Sequence, residues 1–81
     1  MSRILVVGAG GVGASMASIA ESRTFFEVFV LADINEQRCV DAVKNLDNPD
    51  RFLTAKVDAN NKDDLVALAR AHKIDIIVNA C

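Results

Sequence analysis

With 81 residues, 52% of them hydrophobic and 25% charged, the chain allows one ordinary globular domain with a small core. A formal net charge of −2 and nine scattered Lys and Arg residues argue against a nucleic-acid footprint or attraction to anionic lipid. No apolar run is long enough for a secretory leader or a membrane span, and Cys39 and Cys81 lack metal-ligand spacing, so they read as reduced thiols of a cytoplasmic protein.

The first predicted element is a strand at Ile4-Leu5-Val6-Val7, apolar without alternation, as expected of a parallel strand covered on both faces. Gly8-Ala9-Gly10-Gly11-Val12-Gly13 ends it and opens a helix that runs from near Gly11 to about Glu21. That helix carries Val12, Met16, Ile19 and Ala20 on one face, and its other residues are mostly small enough for close packing on a strand. Val28-Phe29-Val30-Leu31 predicts the second strand. Asn35 is expected to cap a second helix with Glu36 in its first turn, with Cys39, Val43 and Leu46 facing inward, ending before Asn48-Pro49. Phe52-Leu53-Thr54-Ala55-Lys56-Val57 is mixed in character and predicts a third strand nearer an edge. A third helix follows a cap at Asn60 or Asn61, has Asp63 and Asp64 in its first turn, and buries Leu65, Leu68 and Ala69. Ile74-Asp75-Ile76-Ile77-Val78 predicts the fourth strand, expected like the first two to be covered on both faces. Strands alternating with crossovers of helix length imply an α/β fold of four parallel strands in order 3-2-1-4 with three helices, half of a doubly wound sheet.

Gly8 to Gly13 matches G-x-G-x-x-G directly after a predicted strand and at the start of a predicted helix, the setting in which this pattern binds a dinucleotide pyrophosphate. Gly8 permits the tight turn, Gly10 leaves room for the phosphates, and Gly13 lets helix and strands pack closely. Gly11 is an extra glycine with an open side-chain position, and with Val12 it lies at the helix start, where free N–H groups face the anion. Asp33 stands twenty residues beyond Gly13 at the end of the second strand. It either accepts hydrogen bonds from the adenosine ribose hydroxyls or caps the next helix. A carboxylate there would face the 2′-phosphate of NADP(H), so NAD(H) is expected in preference by roughly a hundredfold, at about 1.4 kcal/mol per tenfold. Arg38 argues the other way if it pairs with that phosphate, and is otherwise a solvated charge.

Asp58, after the third strand, either accepts from the adenine amino group or caps the third helix. Asn79 and Ala80 hold the same edge after the fourth strand; Ala80 is small enough for cofactor contact, and Asn79 either joins it or closes a turn. His72 reads as a helix-end residue, and no catalytic residue or metal site is expected. Residues 1–81 thus read as the N-terminal part of a Rossmann-type dinucleotide-binding domain. Its second half and a substrate domain are expected beyond Cys81.

The run from Ile4 to Gly13, then Val57-Asp58-Ala59 before an Asn-rich cap and Leu65, then Asp75-Ile76-Ile77-Val78-Asn79-Ala80, resembles the N-terminal domain of the saccharopine dehydrogenase family. That family also takes in lysine dehydrogenase-like and carboxynorspermidine dehydrogenase-like enzymes. The resemblance implies an oxidoreductase that makes or breaks a secondary amine by hydride transfer between a nicotinamide and an imine, with an amino acid such as lysine or saccharopine as substrate. By the same resemblance Gly8, Gly10, Gly13, Asp33, Asp58 and Asn79 line the cofactor. Some relatives carry Ser-Arg, suited to NADP(H), where this chain has Ala32-Asp33, a departure that favours NAD(H).

The partners expected are a nicotinamide dinucleotide, an amino-acid substrate for the parent protein, and a second copy in a homodimer, because an exposed sheet edge invites self-association. This piece alone is not expected to turn over substrate. A non-catalytic NAD(H)-sensing regulatory domain would share the glycine turn and the acid after the second strand. A methyltransferase binding S-adenosylmethionine fits less well, having no pyrophosphate to explain the third glycine.

Overall fold

Alternation of apolar side chains decides which face each strand presents, and parallel pairing then aligns the strand ends. The computed structural model describes residues 2–80. Four strands, β1 (Ser2–Val7), β2 (Phe26–Asp33), β3 (Leu53–Lys56) and β4 (Ile76–Asn79), form one parallel sheet in the order β3-β2-β1-β4. Helices α1 (Gly11–Ala20), α2 (Glu36–Lys44) and α3 (Lys62–Ala71) make the crossovers, and a 3₁₀ turn at Pro49–Arg51 leads into β3. The doubly wound half-sheet expected from the sequence is present, with the expected strand order and with β3 at an edge.

Ile4 and Val6 of β1 and Phe29 and Leu31 of β2 bury on one face with Ala17 and Ala20 of α1 and Cys39 and Val43 of α2. The alternate residues Leu5, Val7, Val30 and Ala32 bury on the other face, where Leu65, Leu68 and Ala69 of α3 pack over them. So α1 and α2 share one side, and α3 crosses to the other before β4 returns beside β1. A bulge at the start of β2 sets Ser2 against Phe26 and Arg3 against Val28. The extra residue lets both Phe26 and Phe29 reach the α1–α2 face, where they meet Phe52 at ring separations of 5.8 and 5.1 Å.

Asn35 caps α2 by accepting from the Gln37 N–H at 3.1 Å, as expected. Asn61, rather than Asn60, caps α3 through the Asp64 N–H at 3.1 Å. Three expectations about burial need correction. The inward face of α1 is Gly13, Ala17 and Ala20, with Met16 half-buried, whereas Val12 and Ile19 are 63% and 62% exposed. In β4, Ile76 and Ile77 are exposed, unlike the doubly covered β1 and β2, because β4 pairs on one side only and little packs over it. The half-burial of Leu65, Leu68 and Ala69 is likewise less than a full core position.

Candidate functional site

The sheet register brings the sequence motifs to one edge. Val7 pairs with Ala32 on one side and with Asn79 on the other, and Asp33 pairs with Lys56. Backbone bonds carry the alignment past the strand ends: the Gly8 N–H donates to the Ala32 carbonyl at 2.7 Å, Val57 to Asp33 at 3.0 Å, and Ala80 to Val7 at 2.7 Å. Gly8, Asp33, the loop after Val57 and the Asn79-Ala80 pair therefore stand in a row at the carboxyl ends of the strands, where open α/β sheets bind ligands.

Within the glycine turn the three motif glycines have different physical reasons. Gly8 has φ 109°, a conformation side chains resist. Gly13 lies against the turn it follows, and a Cβ added there would run into the Gly8 carbonyl. Gly10 and Gly11 face open space: an added Cβ would meet no atom within 4 Å. Their lack of side chains therefore serves nothing inside the fold and leaves the approach to α1 clear. Gly10 is the N-cap of α1 with no capping side chain, and no acid occupies the helix's first turn. By contrast, α2 and α3 are each capped by an Asn and carry acids there. Of the three helix starts, the positive end of α1, with the N–H groups of Gly11, Val12 and Gly13 lacking helical acceptors, is the one with neither a capping side chain nor a first-turn acid.

Asp33 is buried, with 9% of its surface exposed. One carboxylate oxygen, Oδ2, accepts from the Ala9 N–H at 2.8 Å, and the other, Oδ1, accepts from the Asn35 N–H at 2.9 Å. These two bonds hold its carboxyl below the usual carboxylate range against the upward push of burial, and the nearby Arg38 guanidinium adds to the effect. Asp33 is thus an anion at neutral pH, and it is not the cap of α2, a task Asn35 performs.

Beside it lies a cleft of about 160 Å³ walled by Val7, Gly8, Asp33, Ile34, Val57 and Asp58, with Ala59 and Asn60 closing its end. That is roughly half the smallest small-molecule pockets, which start at about 300 Å³, so it suits one portion of a dinucleotide rather than the whole. The Asp58 carboxylate lines it and accepts from the Asn60 N–H at 2.9 Å, a turn within the loop rather than a cap on α3. Ile34 escaped the sequence reading, and Asn60 was read there only as a possible helix cap, not as a residue of the cleft. Ile34, 63% exposed at the cleft, had a signal in its place directly after the strand-end acid. Asn79 is exposed at the end of β4, and half-buried Ala80 packs toward the α1 side.

Other candidates do not line the cleft. Arg38 is exposed on α2. His72 caps the C-terminus of α3, and its carbonyl accepts from Arg3 Nε at 2.8 Å at the opposite edge of the sheet. Burial pushes the Cys39 thiol up to about 11, helped by the charges of Asp33 and Glu36, so it is an inert core group; Cys81 lies outside the described residues. Among the described residues no group of three or more His, Cys, Asp or Glu side chains could hold a metal ion. Nor is any described helix long and apolar enough to cross a membrane.

The donor set of this edge fits an elongated phosphodiester ligand: a cleared backbone turn, an uncapped helix N-terminus, and an ionised acceptor beside a cleft. A family model described as the saccharopine dehydrogenase NADP binding domain matches residues 4–81. No curated protein matches the chain.

Proposed function

Because the chain belongs to the saccharopine dehydrogenase NADP-binding domain family, we propose that it is the cofactor-binding part of an oxidoreductase acting on the CH–NH group of an amino acid such as lysine or saccharopine. In this reading the pyrophosphate of a nicotinamide dinucleotide lies over Gly8, Gly10, Gly11, Val12 and Gly13. Asp33 takes the adenosine ribose. The adenine enters the cleft between Ile34 and Ala59, within reach of Asp58, and Asn79 and Ala80 flank the path toward the nicotinamide. When bound, the nicotinamide supplies the hydride acceptor or donor. The chain's own residues bind and orient: α1 neutralises the phosphates with backbone N–H groups, and the apolar walls exclude water from the adenine. The observation that carries the reading is the open pair Gly10 and Gly11 at an uncapped helix start, next to an ionised Asp33.

We assign a preference for NAD(H). The family description names NADP, and Arg38 is the cation nearest to hand for a 2′-phosphate. Asp33 supports the opposite choice, because a 2′-phosphate would bring a second negative charge against a buried carboxylate. NADH and NADPH titrated calorimetrically in parallel into the folded chain should differ by about a hundredfold in favour of NADH, or about 2.8 kcal/mol at 1.4 kcal/mol per tenfold. Equal or tighter NADPH binding would reverse the preference, and a folded chain that binds neither would remove the dinucleotide reading.

A further inference from the structure

A glycine-rich turn has little of its own to hold it in shape, since glycine loses more conformational freedom on ordering than any other residue. Here the turn is tied from outside. Ala9, between Gly8 and Gly10, gives its N–H to Asp33 Oδ2 at 2.8 Å, a buried contact across 24 residues of sequence. The other oxygen of the same carboxylate holds the Asn35 N–H at 2.9 Å, at the entry to α2. We propose that Asp33 is a positioning residue for the pyrophosphate: through Ala9 it keeps the glycine turn in the shape that presents the first N–H groups of α1 to the phosphates. This rests on the dinucleotide reading of the edge and adds to it a second duty for the residue assigned to the ribose.

The chemistry of the two contacts requires a carboxylate. Both partners are donors, so both side-chain oxygens must accept. An asparagine in this place would set its own NH₂ against one of the two N–H groups, losing one bond and adding a repulsion. Hydrogen bonds to an ionised acceptor are the strong ones, and the loss of one leaves the turn in its competent shape only part of the time. Apparent affinity falls by that same fraction. Cofactor choice and phosphate binding are therefore coupled at one side chain, and replacing Asp33 to admit NADP(H) damages the turn that both cofactors need.

The sign of the effect separates this duty from ribose recognition alone. Removing a negative charge beside an anion site strengthens anion binding, whereas releasing the turn weakens it. Inorganic pyrophosphate is titrated into the wild-type chain and Asp33→Asn, NADH into the wild-type chain, and amide exchange at Ala9 is followed in both proteins without ligand. In the variant, Ala9 should exchange at least tenfold faster, and pyrophosphate should bind about tenfold more weakly although a charge has gone. A variant that stays folded with a merely weakened core would lose melting temperature without losing pyrophosphate affinity. Unchanged or tighter binding of pyrophosphate by Asp33→Asn overturns the proposal and leaves Asp33 as a reader of the ribose alone. A wild-type chain that binds neither pyrophosphate nor NADH overturns the dinucleotide reading, and the claim on pyrophosphate falls with it even if Ala9 stays protected. Should Asp33→Asn fail to fold, exchange in the wild-type chain decides. Protection of Ala9 at least tenfold beyond that of Gly10 and Gly11, corrected for sequence, supports the tie, and equal exchange overturns it.

Discussion

Gly10 and Gly13 belong to one motif but answer to different demands, and substitution separates them. A Cβ at Gly13 has nowhere to go, because the obstacle is the Gly8 carbonyl, part of the backbone. Gly13→Ala should therefore cost about 1–3 kcal/mol through forced displacement of α1, measured by urea unfolding. Gly10→Ala meets open space and should leave stability within about 0.5 kcal/mol of the original, while weakening NADH binding by tenfold or more. Undiminished binding by that variant would mean that the phosphates do not lie against Gly10. The packing of Gly13 and the open place of Gly10 were legible in the sequence, since the spacing after a strand already separates the two positions. The bond from Asp33 to Ala9 was not, because no local pattern reports a contact between residues 24 apart.

At the scale of elements, the helix starts were readable and one helix face was not. Asn35 with Glu36, and Asn61 with Asp63 and Asp64, place a capping side chain and first-turn acids where the dipole favours them. In α1 the periodicity of the larger apolar residues pointed inward through Val12 and Ile19, each worth about 1.5–3 kcal/mol if fully buried. The structure turns that face out. Gly13 must lie on the Gly8 carbonyl, and this contact orients the helix so that Gly13, Ala17 and Ala20 meet the sheet. Close approach of the helix to the turn thus prevails over burial of two larger side chains. The end of α3 carries a local cost as well: Lys73, just past the His72 cap, has φ 53°, a left-handed conformation that favours glycine. Lys73→Gly should raise stability by about 1 kcal/mol, or roughly 4–8 °C in melting temperature for a domain of this size. A lower melting temperature would show that the Lys73 side chain contributes more than its backbone costs.

For the whole molecule the two sheet edges differ. Both edge strands have four residues, but β3 exposes Leu53 and ends on Lys56, whereas β4 leaves both Ile76 and Ile77 exposed. Beside β4, Ile4, Met16, Ile19, Phe25, Phe29 and Val78 line an apolar groove on the α1 face. An unpaired edge strand with apolar neighbours is a template for association. The chain should therefore show an average mass above that of one copy by light scattering, rising with concentration, and Ile77→Lys should return it to a monomer. A wild-type chain that stays monomeric at high concentration would remove this edge as a contact surface.

By itself the sequence determined the order of elements, the parallel sheet and the place of the glycine turn, because apolar runs, capping residues and glycine spacing act over a few neighbouring residues. Tertiary structure alone decided which face of α1 is buried, how far β4 is covered, and that the Asp33 carboxylate grips the turn from the neighbouring strand. Each of those depends on distances between segments remote along the chain, set only when the strands pair in register and their carboxyl ends come level.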